Sequence, residues 1–443
     1  MKIKLSDHFN YKKLLQATLP SILMMVFTSI YGIVDGVFIS NYVGTTAFSA
    51  VNYFIPVTMV IGAIGFMMGA GGSALVAKTL GEGDEEKANR IFTTVVCFTA
   101  VMGAAISVIV FFWVEPIAKL IGADSAFMPY IKTYGKILIA AEVAYMLQNL
   151  FQSFFIAAEK ATLGFIVTVI AGVTNMILDA LFMAVFDWGV KGAAIATIIS
   201  QIIGAIIPLC YFFNKNNTSL LRFTKPKFEF SVLFKSCTNG SSELLSNVSA
   251  SVVSMLYNNR LLKLAGQTGV GAYGIIMYVG FIFAAIFLGY AVGTAPIISY
   301  HYGAKNTDEL KNVLRKSLVI NFVGGAIMTG VAIALSYPLS YVFAKNDSAL
   351  LKMTNHAMKI YSFSFIVMGF NIFASSFFTA LNNGLVSALI SGIRTLIFQT
   401  SSVILFAKWF GLNGVWSSVI AAEAVALILG VIFFITNRKK YGY

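Results

Sequence analysis

Twelve apolar runs, each long enough to cross a lipid bilayer as a helix, dominate this sequence. A transmembrane helix needs about 20 mainly apolar residues, and only helices or closed barrels satisfy their backbone hydrogen bonds within lipid. Charged residues make up 11% of the chain and hydrophobic residues 58%, with most of the charge between the runs. The sequence therefore predicts an all-α polytopic membrane protein. The predicted spans are 14–42, 47–77, 89–113, 130–158, 161–186, 190–213, 233–262, 269–300, 313–343, 356–381, 384–409 and 412–436.

Lysine and arginine residues fall unevenly on the two sides that twelve alternating spans define. One side collects the N-terminal lysines, the basic cluster in 215–235, and Arg438, Lys439 and Lys440, and the opposite side has about half as many. The positive-inside rule then predicts that both termini lie in the cytoplasm. The formal net charge of +13 is accordingly a topology signal and does not indicate binding to nucleic acid. The first run is too long for a signal peptide and lacks a small-residue cleavage site, so we expect it to be retained.

Three short motifs recur at an offset of about 222 residues, which indicates an internal duplication. Because each half then has an even number of spans, both halves enter the membrane from the same side and form parallel repeats. The predicted domains are a six-helix N-lobe (1–213), a polar cytoplasmic linker (214–232) and a six-helix C-lobe (233–443). The recurring motifs are Leu80-Gly81 with Tyr302-Gly303, Ser153-Phe154-Phe155 with Ser376-Phe377-Phe378, and Gly189-Val190-Lys191-Gly192 with Gly411-Leu412-Asn413-Gly414.

Two carboxylates, Asp35 and Asp179, lie inside apolar spans. An ionised side chain near the bilayer centre costs at least about 2.5–3.5 kcal/mol, so such an acid indicates an ion, proton or substrate pathway. The alternative is a structural hydrogen bond between helices. Two carboxylates in one low-dielectric pocket do not readily ionise together, which would allow one of them to hold a proton. Oxygen atoms of Asp35, Asp179, Asn175 and Thr197 could instead bind Na⁺, since hard cations prefer oxygen ligands, and the sequence leaves this choice open.

Several motifs together resemble the multidrug and toxic compound extrusion (MATE) family, and the resemblance covers essentially the whole chain. It implies a V-shaped pair of six-helix lobes in a bacterial plasma membrane that acts as a monomer. It also implies export of amphipathic or cationic drugs by alternating access, in exchange for protons or sodium and without another cofactor. The motifs are Pro20 and Asp35 in the first span, Met68-Gly69-Ala70-Gly71-Gly72 with the following Gly81-Glu82-Gly83-Asp84-Glu85-Glu86-Lys87-Ala88, and Asn175-Met176-Ile177-Leu178-Asp179.

The resemblance also implies roles for individual residues. In the family, an acid on the first helix and an acid on the fifth form a proton or ion site, and Asp35 and Asp179 match these acids. Asn175, one turn before Asp179 on the same helix face, matches the partner amide. Supporting roles fit Tyr31, one turn before Asp35, Thr197 on the sixth helix, and Gln152 on the fourth helix, where an asparagine is expected.

Pro20 interrupts the hydrogen bonding of the first span, because it leaves the carbonyl of Gln16 without its helical partner. Such a break is either a passive kink or a hinge, since transmembrane helices often tolerate proline. In the family, a proline at this position bends the first helix when the acid site is protonated. The resemblance therefore implies that Pro20 is a hinge.

Other embedded charges lie in the C-lobe. Glu243 resembles one acid of a second cation site that some family members carry, but this chain has Asn371 where those members have the other acid. A second sodium site at Glu243 and Asn371 is thus the less favoured alternative. Buried charges usually pair, so we expect Glu142, Arg394 and Glu423 to have interhelical partners, which the sequence does not identify.

Methionine and aromatic side chains of the N-lobe are candidates for a drug cavity, because flexible thioethers and aromatic rings suit a binder of flat cations. For any one of these residues, packing between helices or against lipid is the more frequent role. The candidates are Met24, Met25, Phe27, Met67, Met68, Phe154 and Phe155.

Two other functions fit the sequence less well. A flippase for lipid-linked sugars would need cations in its cavity to hold a pyrophosphate, and only Arg394 and Arg260 are candidates for that position. A membrane enzyme would need a catalytic constellation, yet His8, His301 and His356 lie far apart and no HExxH, GxSxG or phosphate-binding loop occurs. The three cysteines have neither disulfide nor zinc spacing. A carrier is therefore the favoured interpretation.

Overall fold

The computed structural model describes residues 3–214, 216–345 and 347–443, without the side chain of Thr45. Helices make up all the regular secondary structure of these residues, which confirms the all-α prediction. Twelve helical spans, named α1 to α12, follow one another along the chain. They are Tyr11–Tyr42 (α1), Thr45–Gly81 (α2), Glu85–Leu120 (α3), Met128–Ala140 with Glu142–Ala157 (α4), Ala161–Asp179 with Ala180–Val185 (α5), Gly189–Phe213 (α6), 230–265 (α7), 267–303 (α8), Thr307–Ala334 with Ser336–Ala344 (α9), Ser348–Ser362 with Phe365–Ala380 (α10), 384–410 (α11) and 412–441 (α12).

Glycine makes the turns between several consecutive spans. Gly266 joins α7 to α8 at φ 61°, and Gly411 joins α11 to α12 at φ 59°, with no intervening loop. Gly44 and Gly189, each 222 positions earlier, join α1 to α2 and α5 to α6, also with positive φ. A residue with a Cβ adopts this backbone region only with strain. The matching turns confirm the duplication into two pseudo-symmetric six-helix bundles.

The spans α5, α10 and α11 depart from regular α-helix along their length. The helix α10 bends by 53° at Phe363 and Ser364. Wide π-helical turns occupy Ala180–Val185 in α5 and Ile393–Gln399 in α11. Such turns are rare and frequently occur at functional sites. The turn in α5 begins directly after Asp179.

Among the described residues, the packing contacts found between the two lobes lie on one side of the membrane. We call the side that carries both termini and the linker the terminus side, and the opposite one the far side. On the terminus side, Gly240 of α7 packs on the backbone of Met67 and Gly71 of α2, and Gly289 of α8 packs on Ser21 and Ile22 of α1. The far-side cores each contain residues of a single lobe. The molecule is therefore V-shaped and opens towards the far side.

The linker packs against the N-lobe. The Asn89 side chain accepts a hydrogen bond from the backbone N–H of Arg222 at 2.7 Å, and the Thr93 hydroxyl accepts one from Thr224 at 3.1 Å. The ring of Phe223 stacks on Phe213, with centroids 4.1 Å apart. These contacts fix the linker across the terminus-side end of α3.

The N-terminal segment (residues 3–10) connects the two lobes. The backbone N–H of Leu5 donates to Glu159 of the N-lobe at 2.8 Å, and that of Phe9 donates to Glu309 of the C-lobe at 2.9 Å. His8 Nδ1 lies 2.6 Å from the same Glu309 carboxylate. Both Leu5 and Phe9 are buried. The segment thus contributes to the closed terminus side.

Candidate functional site

Two facing helices, α1 and α5, carry the predicted acid pair. A Cβ on Gly172 of α5 would come within 2.6 Å of the Phe27 ring and 3.0 Å of the Tyr31 ring, so glycine at this position lets α1 approach α5 closely. Asp35 lies one turn beyond Tyr31, and Asp179 shares the helix face of Gly172. Their carboxyl groups lie close enough to influence each other electrostatically. The structure therefore brings together the two acids that the sequence predicts as a pair.

The acid pair has no compensating cation among the described residues, since none of their ion pairs includes Asp35 or Asp179. Asp179 is fully buried, and both of its oxygens lack a hydrogen-bond donor in the described chain. The Nδ2 atom of Asn175, one turn away, is also buried and unpartnered there. Two ionised carboxylates cannot remain together in such a pocket without a proton or a bound cation between them.

Tyrosines surround the pair and extend it into the lobe. Tyr134 of α4 is buried within electrostatic range of both carboxyl groups. Tyr31 is close enough to both Asp35 and Tyr145 to interact with them electrostatically. Tyr145 in turn lies near Glu142. The sequence prediction missed Tyr134 and Tyr145. Their only signal was a polar ring in an apolar span, which is common in membrane helices.

Glu142, which was predicted to have an interhelical ionic partner, forms no ion pair with any of the described residues. It begins the second segment of α4 and is buried, and its Oε1 atom lacks a hydrogen-bond partner in the described part of the chain. Gly62 of α2 faces it, and a Cβ there would lie 3.1 Å from this oxygen and 2.1 Å from the Tyr145 ring. Glycine therefore makes room for a third acid inside the N-lobe, in addition to Asp35 and Asp179.

Thr197 and Gln152, the supporting residues predicted on the sixth and fourth helices, have different surroundings in the structure. Thr197 donates its hydroxyl to the carbonyl of Ala193 at 3.0 Å, so only its oxygen lone pairs remain for another group. Gln152 lines a small cavity with Gly164 and Thr168 of α5. Gly164 precedes Asp179 by 15 residues, which is roughly 22 Å along a helix. The predicted role of Gln152 beside the acids is therefore wrong, because the fourth helix passes α5 at a different height.

Pro20 lies at the terminus-side contact between the lobes. The helix α1 continues through it, and the next two residues, Ser21 and Ile22, pack against Gly289 of α8. Pro20 also lines a cavity of about 240 Å³ together with Gln16, whose carbonyl lacks its helical partner. One helix thus carries both Asp35 and a contact with the opposite lobe.

The C-lobe residues form a different cluster from the predicted second cation site. Asn371 donates to the Glu423 carboxylate at 2.7 Å, and Arg394 binds the same carboxylate at 2.6 Å. Ser242, the neighbour of Glu243, instead meets Thr379, eight residues beyond Asn371, or about 12 Å along α10. The structure therefore assigns the Arg394–Glu423 pair and does not join Glu243 to Asn371.

The predicted cavity residues divide into two groups. Phe154 is fully buried against Phe92, with ring centroids 4.9 Å apart, and Met67 belongs to the same N-lobe core. Met24 is also buried, whereas Met25 and Phe27 are partly exposed. The cavity prediction is wrong for Phe154, because aromatic packing between α3, α4 and α6 encloses its ring. Met68 and Phe155 are enclosed in this core as well.

Comparison with known proteins agrees with this architecture. The family model MatE matches residues 20–181 and 244–403, one match in each lobe. The multidrug export protein MepA of Staphylococcus saprophyticus is 24% identical over 433 residues, which cover 97% of this chain and 94% of MepA. The MepA of Staphylococcus aureus strain NCTC 8325 is 23% identical over the same length.

Solved structures share the fold. A MATE crystal structure in complex with MaL6 has a TM-score of 0.93 at 21% identity, covering 98% of both chains. The outward-facing conformation of a multidrug resistance MATE family transporter has a TM-score of 0.92 at 21% identity, covering 98% of this chain and 97% of the other. This chain therefore belongs to the MatE family, whose members are membrane transporters and not enzymes.

Proposed function

We propose that this chain is a secondary active antiporter that exports amphipathic or cationic drugs in exchange for protons or sodium ions. The observation that carries the proposal is the unneutralised Asp35–Asp179 carboxyl pair inside the N-lobe. An intramembrane acid pair without a cation is costly and is typically part of an ion pathway. The relatives named multidrug export proteins support drugs as the substrate class.

The proposed orientation has the terminus side in the cytoplasm of a bacterial cell. The excess of Lys and Arg on that side supports it through the positive-inside rule. The contacts between the lobes then close the cytoplasmic side, and the open V faces outwards. The close likeness to an outward-facing transporter is consistent with this state. Drug export would require the reverse state as well, with the cytoplasmic contacts separated.

The helix α1 links the acid pair to the closed side. Asp35 meets Asp179 near its far-side end, and Ser21 and Ile22 meet Gly289 near its other end. A proton or cation arriving at the pair removes the repulsion between α1 and α5, so it changes how tightly these helices pack. Pro20 directly precedes the Ser21–Ile22 contact, and the missing hydrogen bond to Gln16 makes bending of α1 easier there.

An ion gradient supplies the driving energy for such a cycle. Each pH unit of gradient supplies about 1.4 kcal/mol per proton, and each 100 mV of membrane potential supplies about 2.3 kcal/mol per charge. The closeness of the two carboxyl groups favours a proton as the coupling ion, because two neighbouring acids can share one proton. Sodium would instead lie between the carboxylates, with Thr197 and Asn175 supplying further oxygen atoms.

The flippase alternative is disfavoured by the state of Arg394. Its guanidinium group forms a bidentate pair with Glu423, whose carboxylate also accepts from Asn371. A cation that is neutralised in this way is not available to hold a pyrophosphate.

Dye export in proteoliposomes tests the proposal. The purified chain is reconstituted, and efflux of a cationic dye is followed under an imposed proton gradient or an imposed sodium gradient. We expect one gradient to drive efflux and an ionophore that collapses it to abolish that efflux. Efflux that responds to neither gradient would contradict an antiport mechanism.

A further inference from the structure

A groove of about 680 Å³ opens on the C-lobe at the terminus side, between α9, α10 and α12. Lys311 and Arg315 line it from α9, and Arg438 lines it from α12. The deeper part of the groove is apolar and is formed by Leu314, Leu318, Phe370, Val431, Phe434 and Ile435.

The three basic side chains of the groove are not neutralised by the described chain. They are exposed, and the ion pairs formed by the described residues include none of them. Arg438 Nε also donates to the main-chain oxygen of Tyr443 at 3.2 Å. Asp308 is the one acid among the lining residues. The groove therefore has a net positive charge.

The two helices that form the walls of the groove, α9 and α12, have the same order of side chains: basic at the membrane surface and apolar deeper in the membrane. On α9, Lys311 is followed seven residues deeper by Leu318, and on α12, Arg438 is preceded at the same spacing by Val431. Seven residues of helix span about 10 Å. Both helices thus place cations at the membrane surface and apolar side chains at the depth of acyl chains. Ile435 is 68% exposed and Ile428, further into the membrane, is 60% exposed, so this wall faces lipid.

The surface of α3 in the N-lobe corresponds to this surface of α9 but has different side chains and a different cover. Asn89 and Thr93 occupy the positions that lie 222 residues before Lys311 and Arg315, and both bind the backbone of the linker. The linker covers that surface of α3 with protein. In the C-lobe, two cations replace the polar pair, and neither the Lys311 nor the Arg315 side chain forms a hydrogen bond or ion pair within residues 3–214, 216–345 and 347–443.

We propose that this groove binds an anionic phospholipid from the terminus-side leaflet. Its phosphate lies among Lys311, Arg315 and Arg438, and an acyl chain follows Phe434 and Ile435 into the membrane. Charge complementarity supports this occupant, because basic pockets between transmembrane helices bind anionic headgroups on the cytoplasmic side. Arginine additionally offers bidentate hydrogen bonds to phosphate oxygens.

Lipid binding to the full chain tests this site. Purified protein is titrated with phosphatidylglycerol or phosphatidylcholine, and bound lipid is counted by native mass spectrometry. The groove variant combines Lys311→Gln, Arg315→Gln and Arg438→Gln. The matched control, Lys12→Gln with Lys225→Gln and Lys235→Gln, removes the same charge from exposed positions outside the groove. Unfolding temperatures in phosphatidylcholine show whether each variant is folded, and single variants replace the triple one if it is not.

We expect each substitution in the groove to weaken phosphatidylglycerol binding about fivefold, with the control and phosphatidylcholine binding unchanged. Equal losses in the groove and control variants would overturn the proposal in favour of diffuse surface charge. Unchanged binding in the groove variant would also overturn it. Glycerol phosphate carries the same phosphate group without acyl chains and therefore tests whether the acyl chains contribute to binding. If it bound as tightly as phosphatidylglycerol, the assignment to a lipid would be overturned.

Discussion

Gly81 and Gly303, 222 positions apart in the two halves of the chain, each pack against the backbone of the opposite lobe. A Cβ on Gly81 would lie 2.1 Å from the carbonyl oxygen of Tyr300, and a Cβ on Gly303 would lie 2.0 Å from that of Lys78. Lys78 and Tyr300 are themselves 222 positions apart. The duplication therefore places one pseudo-twofold contact at the closed side of the molecule.

Substitution of Gly303 by alanine should open the terminus side. The added Cβ meets backbone, which cannot move aside as a side chain can, and such overpacking typically costs about 1–3 kcal/mol. We expect a thiol reagent to label a cysteine introduced at Lys78 faster in Gly303→Ala than in the parent. Gly330→Ala on α9 is the control, because a Cβ there meets nothing within 4 Å. Identical labelling in Gly303→Ala and the control would show that this contact does not close the lobes.

Gly172→Ala should separate α1 from α5 and weaken coupling. Its Cβ would meet the Phe27 ring at 2.6 Å, which pushes the helix that carries Asp35 away from Asp179. We expect gradient-driven dye flux to fall while dye binding is retained. Because the nearest atom belongs to a side chain, adding Phe27→Leu should restore part of the flux. Failure of this second substitution to restore any flux would argue against steric separation as the cause.

The N-terminal segment should contribute to stability through Phe9. Its ring is fully buried, and its backbone N–H bonds to Glu309. Core Phe→Ala substitutions typically cost about 3–5 kcal/mol, so we expect Phe9→Ala to lower the unfolding temperature and to expose the segment to protease. Tyr11→Ala, at a position 45% exposed, is the comparison and should have a small effect. Equal effects of the two substitutions would contradict the proposed docking.

Arg394→Gln should destabilise the C-lobe, because it leaves Glu423 buried without its cation. Breaking one side of a buried ion pair typically costs about 3–5 kcal/mol, whereas removing both charges costs much less. We therefore expect the double variant Arg394→Gln with Glu423→Gln to recover most of the lost thermal stability. A double variant that is no more stable than Arg394→Gln would show that the pair does not behave as a unit.

Much of the fold could be predicted from the sequence, because apolar length and repeated turns are local signals. The twelve spans and the repeat of Gly189 at Gly411 follow directly from chain order. Asp35 and Asp179 were also identifiable, since an acid in an apolar span is conspicuous wherever the helices pack.

Contacts between helices were harder to predict, because they depend on relative height and rotation. Gln152 has a suitable amide, yet it lies beside Gly164 and not beside Asp179. The partner of Arg394 depends on how α11 and α12 fold back at Gly411. Tyr134 reaches the acids because it joins the core that contains Ile39 of α1 and Met183 of α5, which a single span does not reveal.

The central claim is that the Asp35–Asp179 pair carries the coupling ion, and gradient-driven dye flux in acid variants tests it most directly. Asp35→Asn and Asp179→Asn are reconstituted beside Asp187→Asn, a matched change at an exposed position just beyond α5. Asparagine can neither hold the exchanged proton nor supply a charge for sodium, so we expect flux in both pair variants to fall about tenfold or more. Dye binding and the Asp187→Asn flux should remain at parent levels. Undiminished gradient-driven flux in both pair variants would contradict the claim.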